Sequence, residues 1–319
     1  MLQAREGDVS KGIPITPKTG RITFDEAVTD LENDYITNNR RSLDSVKWKI
    51  RLHLRPAFGQ MRLANITTSH IRAFTVERQK AGAKNAEINR ELSALKRMFS
   101  LAVQAGNLHH RPFVPMLAEN NARQGFFEES HYRAVLAHVP QGLRPVVTFA
   151  YVTGWRTKSE ILPLEWRNVD LKTCEVRLEA GTTKNGETRE LPFGGSPELV
   201  EMFRSLRAET TKLEQAEGRI IRFVFHRAGK RIKDFRGAWQ AACKVAGCPG
   251  RIPHDLRRTA VRNLDQAGIS QSVAMQITGH KTASVYRRYR IVSTEDLKVA
   301  LAKLAGTDAG SANSAKQQA

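Results

Sequence analysis

Residues 279–289 read Gly279-His280-Lys281-Thr282-Ala283-Ser284-Val285-Tyr286-Arg287-Arg288-Tyr289, and upstream of them stands His254-Asp255-Leu256-Arg257-Arg258-Thr259. Together they set imidazoles, guanidinium forks and phenolic hydroxyls beside one another, a donor-rich set suited to an anion. His254 and Arg257, three residues apart, share one face if the segment is helical. Two earlier pieces belong to the same chemistry: Thr153-Gly154-Trp155-Arg156 and Thr183-Lys184-Asn185-Gly186. The Asn185-Gly186 pair between two β-prone runs, Cys174 to Leu178 and Thr188 to Phe193, predicts a hairpin with Lys184 near its tip.

The charge agrees with an anionic partner. Of 319 residues, 51 are Lys or Arg and 32 are Asp or Glu, a formal net charge of +19. The excess sits in two windows, residues 41–100 and 221–290, while the rest of the chain is nearly balanced. Neither window shows a long amphipathic helix with an apolar aromatic face, so nucleic acid is favoured over a membrane surface. No apolar run is long enough to span a bilayer, and the N-terminus has no apolar core of the kind a signal peptide needs. Cys174, Cys243 and Cys248 are odd in number and form no Cys-x-x-Cys pair, so reduced thiols and a cytoplasmic protein are expected.

Five segments follow along the chain. Residues 1–20 read as a flexible lead-in, and residues 21–110 as a helical domain. Helix starts fall at Thr23, Ser42 and Thr68, and a longest helix runs from Ala86 to Ala105, ended by Gly106. In it Ile88, Leu92, Leu95, Met98 and Phe99 recur at helical spacing, the buried stripe of an amphipathic helix. A Pro- and Asn-bearing linker covers 111–125. Residues 126–305 are mixed, with helices expected at Glu128 to His138, Leu143 to Thr153, Lys233 to Val245, His254 to Ala267, Ser272 to Ile277 and Ser284 to Tyr289, and a further strand at Arg222 to His226. Residues 306–319 read as a disordered tail. The fold class is α+β: an all-α domain, then a mostly helical one with a small antiparallel sheet.

The ordered set Arg156, Lys184, His254-x-x-Arg257, Gly279-His280 and Tyr289 resembles the tyrosine recombinases, the phage-integrase family of site-specific DNA recombinases. The resemblance implies a SAM-like core-binding domain followed by a catalytic domain. It also implies strand cleavage and rejoining through a 3′-phosphotyrosyl intermediate, with integration or excision of a phage or other mobile element as the main expectation. By the same resemblance Arg156 and Arg257 clamp the phosphate, His280 donates to it, His254 manages the tyrosine proton, Lys184 protonates the leaving 5′ oxygen, and Tyr289 is the nucleophile. The chemistry suits these types, because a phenolate is both a nucleophile and a good leaving group, and guanidinium forks meet two nonbridging oxygens without a metal. No cofactor, metal or ATP is expected. The expected partners are double-stranded DNA, further copies forming a tetramer on it, and accessory DNA-bending or directionality proteins.

Plainer readings compete. Tyr286 lies six residues after His280, against nine for Tyr289, the family spacing. Lys230 and Lys233 lie too far along the chain for the hairpin role. In the family pattern an acid stands three residues after the first Arg, whereas here Glu160 stands four after Arg156. A metal-dependent nuclease would need converging carboxylates, and Asp170, Asp255 and Asp265 show no ligand spacing. A chromosome-dimer resolvase and a DNA-binding regulator with a vestigial site are the remaining alternatives. The chain begins almost directly at the helical domain, so a separate arm-site-binding domain is not expected. Beyond Tyr289, Leu297, Leu301 and Leu304 share a helical face that packs either on its own domain or on a neighbouring copy.

Overall fold

A computed structural model describes residues 20–119, 125–179, 188–289, 297–298 and 301–302. The chain divides into two compact units, Met1–Arg123 and Gln124–Ala319. The expected lead-in other than Gly20, the hairpin tip with Lys184, most of the segment carrying Leu297 to Leu304, and the tail 306–319 lie outside the described residues.

The first unit is a helical bundle. Helix α1 (Phe24–Thr37) begins with a reciprocal cap in which Thr23 accepts from the Glu26 backbone and Glu26 accepts from the Thr23 backbone. Helix α2 (Leu43–Lys49) runs through a π-turn at Ile50–Leu54 into α3 (Arg55–Phe58). Helices α4 (Thr68–Lys80) and α5 (Asn85–Gln104) complete the bundle. The predicted stripe of α5 is inside: Ile88, Leu92, Leu95, Met98 and Phe99 are buried against Phe24, Leu31, Ile50 and Phe58. Burying each such side chain contributes roughly 1.5–3 kcal/mol. The helix stops at Gly106, whose φ of +69° favours a residue without Cβ. Residues 107–119 then lie along this unit, held where the Asn89 amide accepts from Leu117 N at 2.8 Å and donates to Leu117 O at 2.9 Å.

The second unit wraps helices around a small sheet. Helices α6 (Glu129–His138) and α7 (Arg144–Thr153) come first, and α7 buries Val146, Val147, Phe149 and Ala150 almost all round. Strands β1 (Val169–Asp170), β2 (Glu175–Leu178) and β3 (Arg189–Pro192) form an antiparallel sheet with β2 central. The register pairs Val176 with Leu191 and Leu178 with Arg189, so Arg189 shares the inner face with Leu191. A short hairpin of β4 (His226–Arg227) and β5 (Lys230–Arg231) precedes α9 (Arg236–Val245), α10 (Asp255–Gln266), α11 (Gln271–Thr278) and α12 (Ala283–Arg287).

Two local expectations need correction, and one helix was not expected. The strand expected over Arg222 to His226 is reduced to a single bridge between Phe223 and Glu165 and, at His226, the start of β4, because Val224 and Phe225 are both buried and the segment threads the core instead of alternating. Helix α8 (Pro197–Glu217) has no counterpart in the sequence reading. Its second half is polar, and only Leu199, Phe203 and Thr210 are buried, although Pro197 in the first turn and Gly218 at φ +62° mark its ends. Helix α12 stops at Arg287, leaving Tyr289 on the turn beyond it, with its N–H donating to Tyr286 O at 2.9 Å.

Candidate active site

The site is built where α10 begins and where α7 and α11 end. Both α7 and α11 stop at a glycine in the left-handed region, Gly154 at φ +64° and Gly279 at φ +71°. Gly154 also lies against α10, since a Cβ there would meet the Ala260 methyl at 3.0 Å. These ends leave carbonyls without helical partners, and Arg257 takes them up: its Nη1 donates to Gly154 O and to Thr278 O, each at 2.6 Å. The side chain is buried, and its Nε has no partner among the described residues. Burial and the neighbouring Arg156 charge lower the Arg257 pKa, but the group remains a cation at neutral pH.

The second fork nitrogen, Nη2, stands 3.0 Å from His280 Nε2. His280 Nδ1 stands 2.7 Å from Thr278 Oγ1, which itself lies 2.7 Å from Ala274 O. A guanidinium only donates, so Nε2 accepts and the ring proton is assigned by this network to Nδ1. Burial, reinforced by Arg257, Arg156 and Arg189, pushes the His280 pKa down to about 3, keeping the ring neutral.

His254 stands at the N-cap of α10, one residue before the buried Asp255. Asp255 accepts from Ile252 N at 2.9 Å and from Arg258 Nη1 at 3.0 Å, fixing the helix start. His254 Nε2 lies 3.1 Å from the Tyr289 hydroxyl. Packing lowers its pKa to about 4, with the Arg257 and Arg258 charges acting the same way. His254 is also exposed to solvent.

The Tyr289 ring is surrounded on several sides. His254 meets it edge-on, His280 lies tilted with centroids 4.8 Å apart, and the guanidinium carbons of Arg257 and Arg258 stand 5.6 and 5.8 Å from its centre. Tyr286 is different: it is buried with Val261 and Ala274 in a small core and presents an edge to His280. Of the two tyrosines weighed as nucleophile, Tyr289 is the one hydrogen-bonded to His254.

Arg156 opens a π-turn at Thr157–Ile161, in which Leu162 N reaches back five residues to Thr157 O at 2.9 Å. That wider turn absorbs the additional residue noted in the sequence. Glu160 returns to Arg156, accepting from its Nη1 at 2.6 Å and from its backbone N–H at 2.9 Å. The Glu160 side chain is 0% exposed, and its second oxygen also accepts from Arg189 Nη1 at 3.2 Å. Burial alone would raise the Glu160 pKa, but the Arg189 and Arg156 charges outweigh it and hold the carboxyl below its ordinary value.

The described part of the second unit thus brings together Arg156, His254, Arg257, His280 and Tyr289. Lys184 lies outside the described residues; on either side of that segment Leu178 and Arg189 pair across β2 and β3. Sequence reasoning missed Arg189 and Thr278. The alternation of Arg189 with Leu191 was the available signal for the former. Among the described residues no three His, Cys, Asp or Glu side chains group as metal ligands, and no helix is long and apolar enough to cross a membrane. Asp170, considered as a metal ligand, instead accepts from Lys172 N and Thr173 N at 2.7 and 3.2 Å.

Residues 126–296 match the family model described as Phage integrase family. The chain belongs to the phage integrase family. A second match in this family member, to the phage integrase N-terminal SAM-like domain, covers residues 49–106. The integrase-family chain is 25% identical to an integrase of Salmonella phage P22 over 57% of its own length and 47% of that protein, so it spans about half of that relative. It is also 25% identical to tyrosine recombinase XerC of Mycobacterium sp. (strain KMS), over 86% of its length and 96% of that protein. In fold it is similar to a lambda integrase dimer bound to a core site, with a TM-score of 0.68, 19% identity, and 84% and 95% of the two chains covered. It is likewise similar to the Tn1549 transposon integrase in complex with circular intermediate DNA, with a TM-score of 0.68, 15% identity, and 88% and 99% covered.

Proposed function

We propose that this chain is a site-specific tyrosine recombinase that cuts and rejoins double-stranded DNA for integration or excision of a mobile element. The observation that carries the reading is the 3.1 Å contact between His254 Nε2 and the Tyr289 hydroxyl, beside Arg257. Neutral His254 accepts the phenolic proton as the Tyr289 oxygen attacks phosphorus. The bond to the 5′ oxygen breaks, that oxygen takes a proton from Lys184, and a 3′-phosphotyrosyl ester remains. A 5′ hydroxyl from a partner strand reverses the step and frees the tyrosine.

Negative charge on the nonbridging oxygens meets the forks of Arg156 and Arg257. Arg156 keeps 22% of its side chain exposed, enough to reach a ligand while Glu160 holds one edge. His280 joins by moving its proton from Nδ1 to Nε2, with the Thr278 hydroxyl turning from Ala274 O to donate to Nδ1. Arg257 Nη2 then leaves His280 for the phosphate.

The positive surface grips backbone phosphates, and further copies assemble on the site as a tetramer. The similar lambda integrase has been solved as a tetramer bound to a Holliday junction, which supports that assembly. Accessory DNA-bending or directionality proteins and a cytoplasmic, nucleoid-associated location belong to the same reading.

The test is to incubate the protein with a pool of nicked duplexes randomised across the core and to recover detergent-resistant adducts at the 3′ phosphate. Adducts from the wild type and none from Tyr289→Phe support the assignment. Binding without adduct would leave a regulator with a vestigial site. Chromosome-dimer resolution is the second reading, favoured by the match over 96% of a XerC protein. The recovered duplex separates the two: a site found at the ends of a mobile element supports integration, and a single chromosomal site supports dimer resolution.

A further inference from the structure

Arg189 stands on the inner face of β3, with 9% of its side chain exposed, and three features of the site converge on it. Its Nη1 donates to Glu160 Oε2 at 3.2 Å, and its guanidinium carbon lies 5.1 Å from the centre of the buried Trp155 ring. A Cβ at Gly279 would run into the Arg189 guanidinium, so the turn that presents His280 lies directly on it. Trp155 is in turn tied to the end of α11 through Nε1 to Ile277 O at 2.8 Å.

The charges give this arrangement a consequence. A lone Arg156–Glu160 pair would be neutral, and a neutral pair attracts a phosphate weakly. With Arg189 on the other oxygen of the same carboxylate, the trio carries one net positive charge in a region sheltered from water, where that charge acts strongly. The shared carboxylate also leaves Arg156 one edge to turn toward a ligand.

Resting on the recombinase reading, we propose that Arg189 is a positioning residue that divides Glu160 between two arginines and so keeps the Arg156 clamp net positive and open to the scissile phosphate. It acts through Glu160, Trp155 and Gly279 and does not itself touch the DNA.

The experiment measures single-turnover adduct formation on a nicked duplex recovered from the randomised pool, with binding of the same duplex followed by gel shift in a Tyr289→Phe background. Arg189→Met should slow adduct formation about 100-fold, as a misplaced clamp does, with binding changed less than about twofold. Arg189→Lys should stay within about tenfold of wild type, since it keeps the charge but not the fork. Adding Glu160→Gln to Arg189→Met removes the carboxylate that would otherwise neutralise Arg156 and should recover roughly tenfold of the loss, a coupling that a merely structural role would not produce.

No adduct from the wild type would overturn the recombinase reading itself. With wild-type adduct present, normal rates for Arg189→Met would overturn the proposal. So would a double variant no faster than Arg189→Met, or an Arg189→Lys as slow as Arg189→Met. If Arg189→Met fails to fold, the Arg189→Lys rate decides against wild type: a loss within about tenfold supports the proposal, and a loss of about 100-fold overturns it.

Discussion

Arg257 Nη2 lies 3.0 Å from His280 Nε2, so the guanidinium of one residue fixes which nitrogen of the other is free to donate. Because Nη1 is anchored to Gly154 O and Thr278 O, the fork also joins the ends of two helices that are distant in sequence. Arg257→Lys keeps the charge but cannot reproduce three directed bonds. The adduct rate is expected to fall by about 100-fold or more, as when a transition-state donor is removed. A fall of less than about threefold in single-turnover assays would show that this geometry is not what the reaction uses.

The depressed His280 pKa carries a stability signature. The folded value is about 3 and lies below the ordinary value of 6.5, so between them the unfolded chain binds more protons than the folded one. Stability is therefore fully present above about pH 6.5 and is lost as pH falls toward 3, with a slope no steeper than about 1.4 kcal/mol per pH unit from this group. Urea melts between pH 7 and pH 4.5 should show a shallower pH dependence for His280→Gln than for wild type. Parallel curves would remove His280 as a source.

Tyr286 and Tyr289 should separate cleanly. Tyr289→Phe removes a hydroxyl that faces His254 and should abolish adduct while leaving thermal stability within about 0.5 kcal/mol. Tyr286→Ala empties a buried ring site and should cost about 3–5 kcal/mol, read as a lower Tm. A Tyr286→Phe variant that lost adduct while Tyr289→Phe kept it would reverse the assignment.

Gly279→Ala meets two obstacles, a φ of +71° and the Arg189 guanidinium. The backbone conformation alone costs about 1–3 kcal/mol. In an Arg189→Met background the second obstacle shrinks, so the two substitutions should be non-additive, with the double variant more stable than the sum of the single effects predicts. Additive melting shifts would mean that the contact is not under strain when occupied.

DNA binding should be steeply salt-dependent. A protein meeting 6–10 phosphates loses about 10³–10⁵ in affinity between 50 and 200 mM salt. Gel shifts over that range should show the fall for both cognate and random duplexes, because backbone contacts carry little sequence information. A flat response would count against the basic windows as the grip.

Much of the helical framework was legible because it follows from local pattern. Thr23 with Glu26, the α5 stripe ending at Gly106, and Thr153-Gly154 closing α7 each place their signal within a few residues. Helix α8 escaped because its polar second half shows too little periodicity. The Arg222 to His226 segment misled because β-prone residues there thread the core, and burial on both sides erases alternation.

Site chemistry and site geometry divide in the same way. The sequence by itself determined spacing: that of His254, Arg257, His280 and Tyr289 is covalent, and residues three or four apart on a helix, as His254 and Arg257 are, share a face whatever packs against them. It also marked the extra residue between Arg156 and Glu160. Only the tertiary structure decided that a π-turn absorbs that residue, that Tyr286 packs inside while Tyr289 reaches His254, and that Arg189 shares Glu160. Each of these depends on contacts between elements far apart in the chain, where strand register and left-handed helix ends bring together groups whose relation no local spacing encodes.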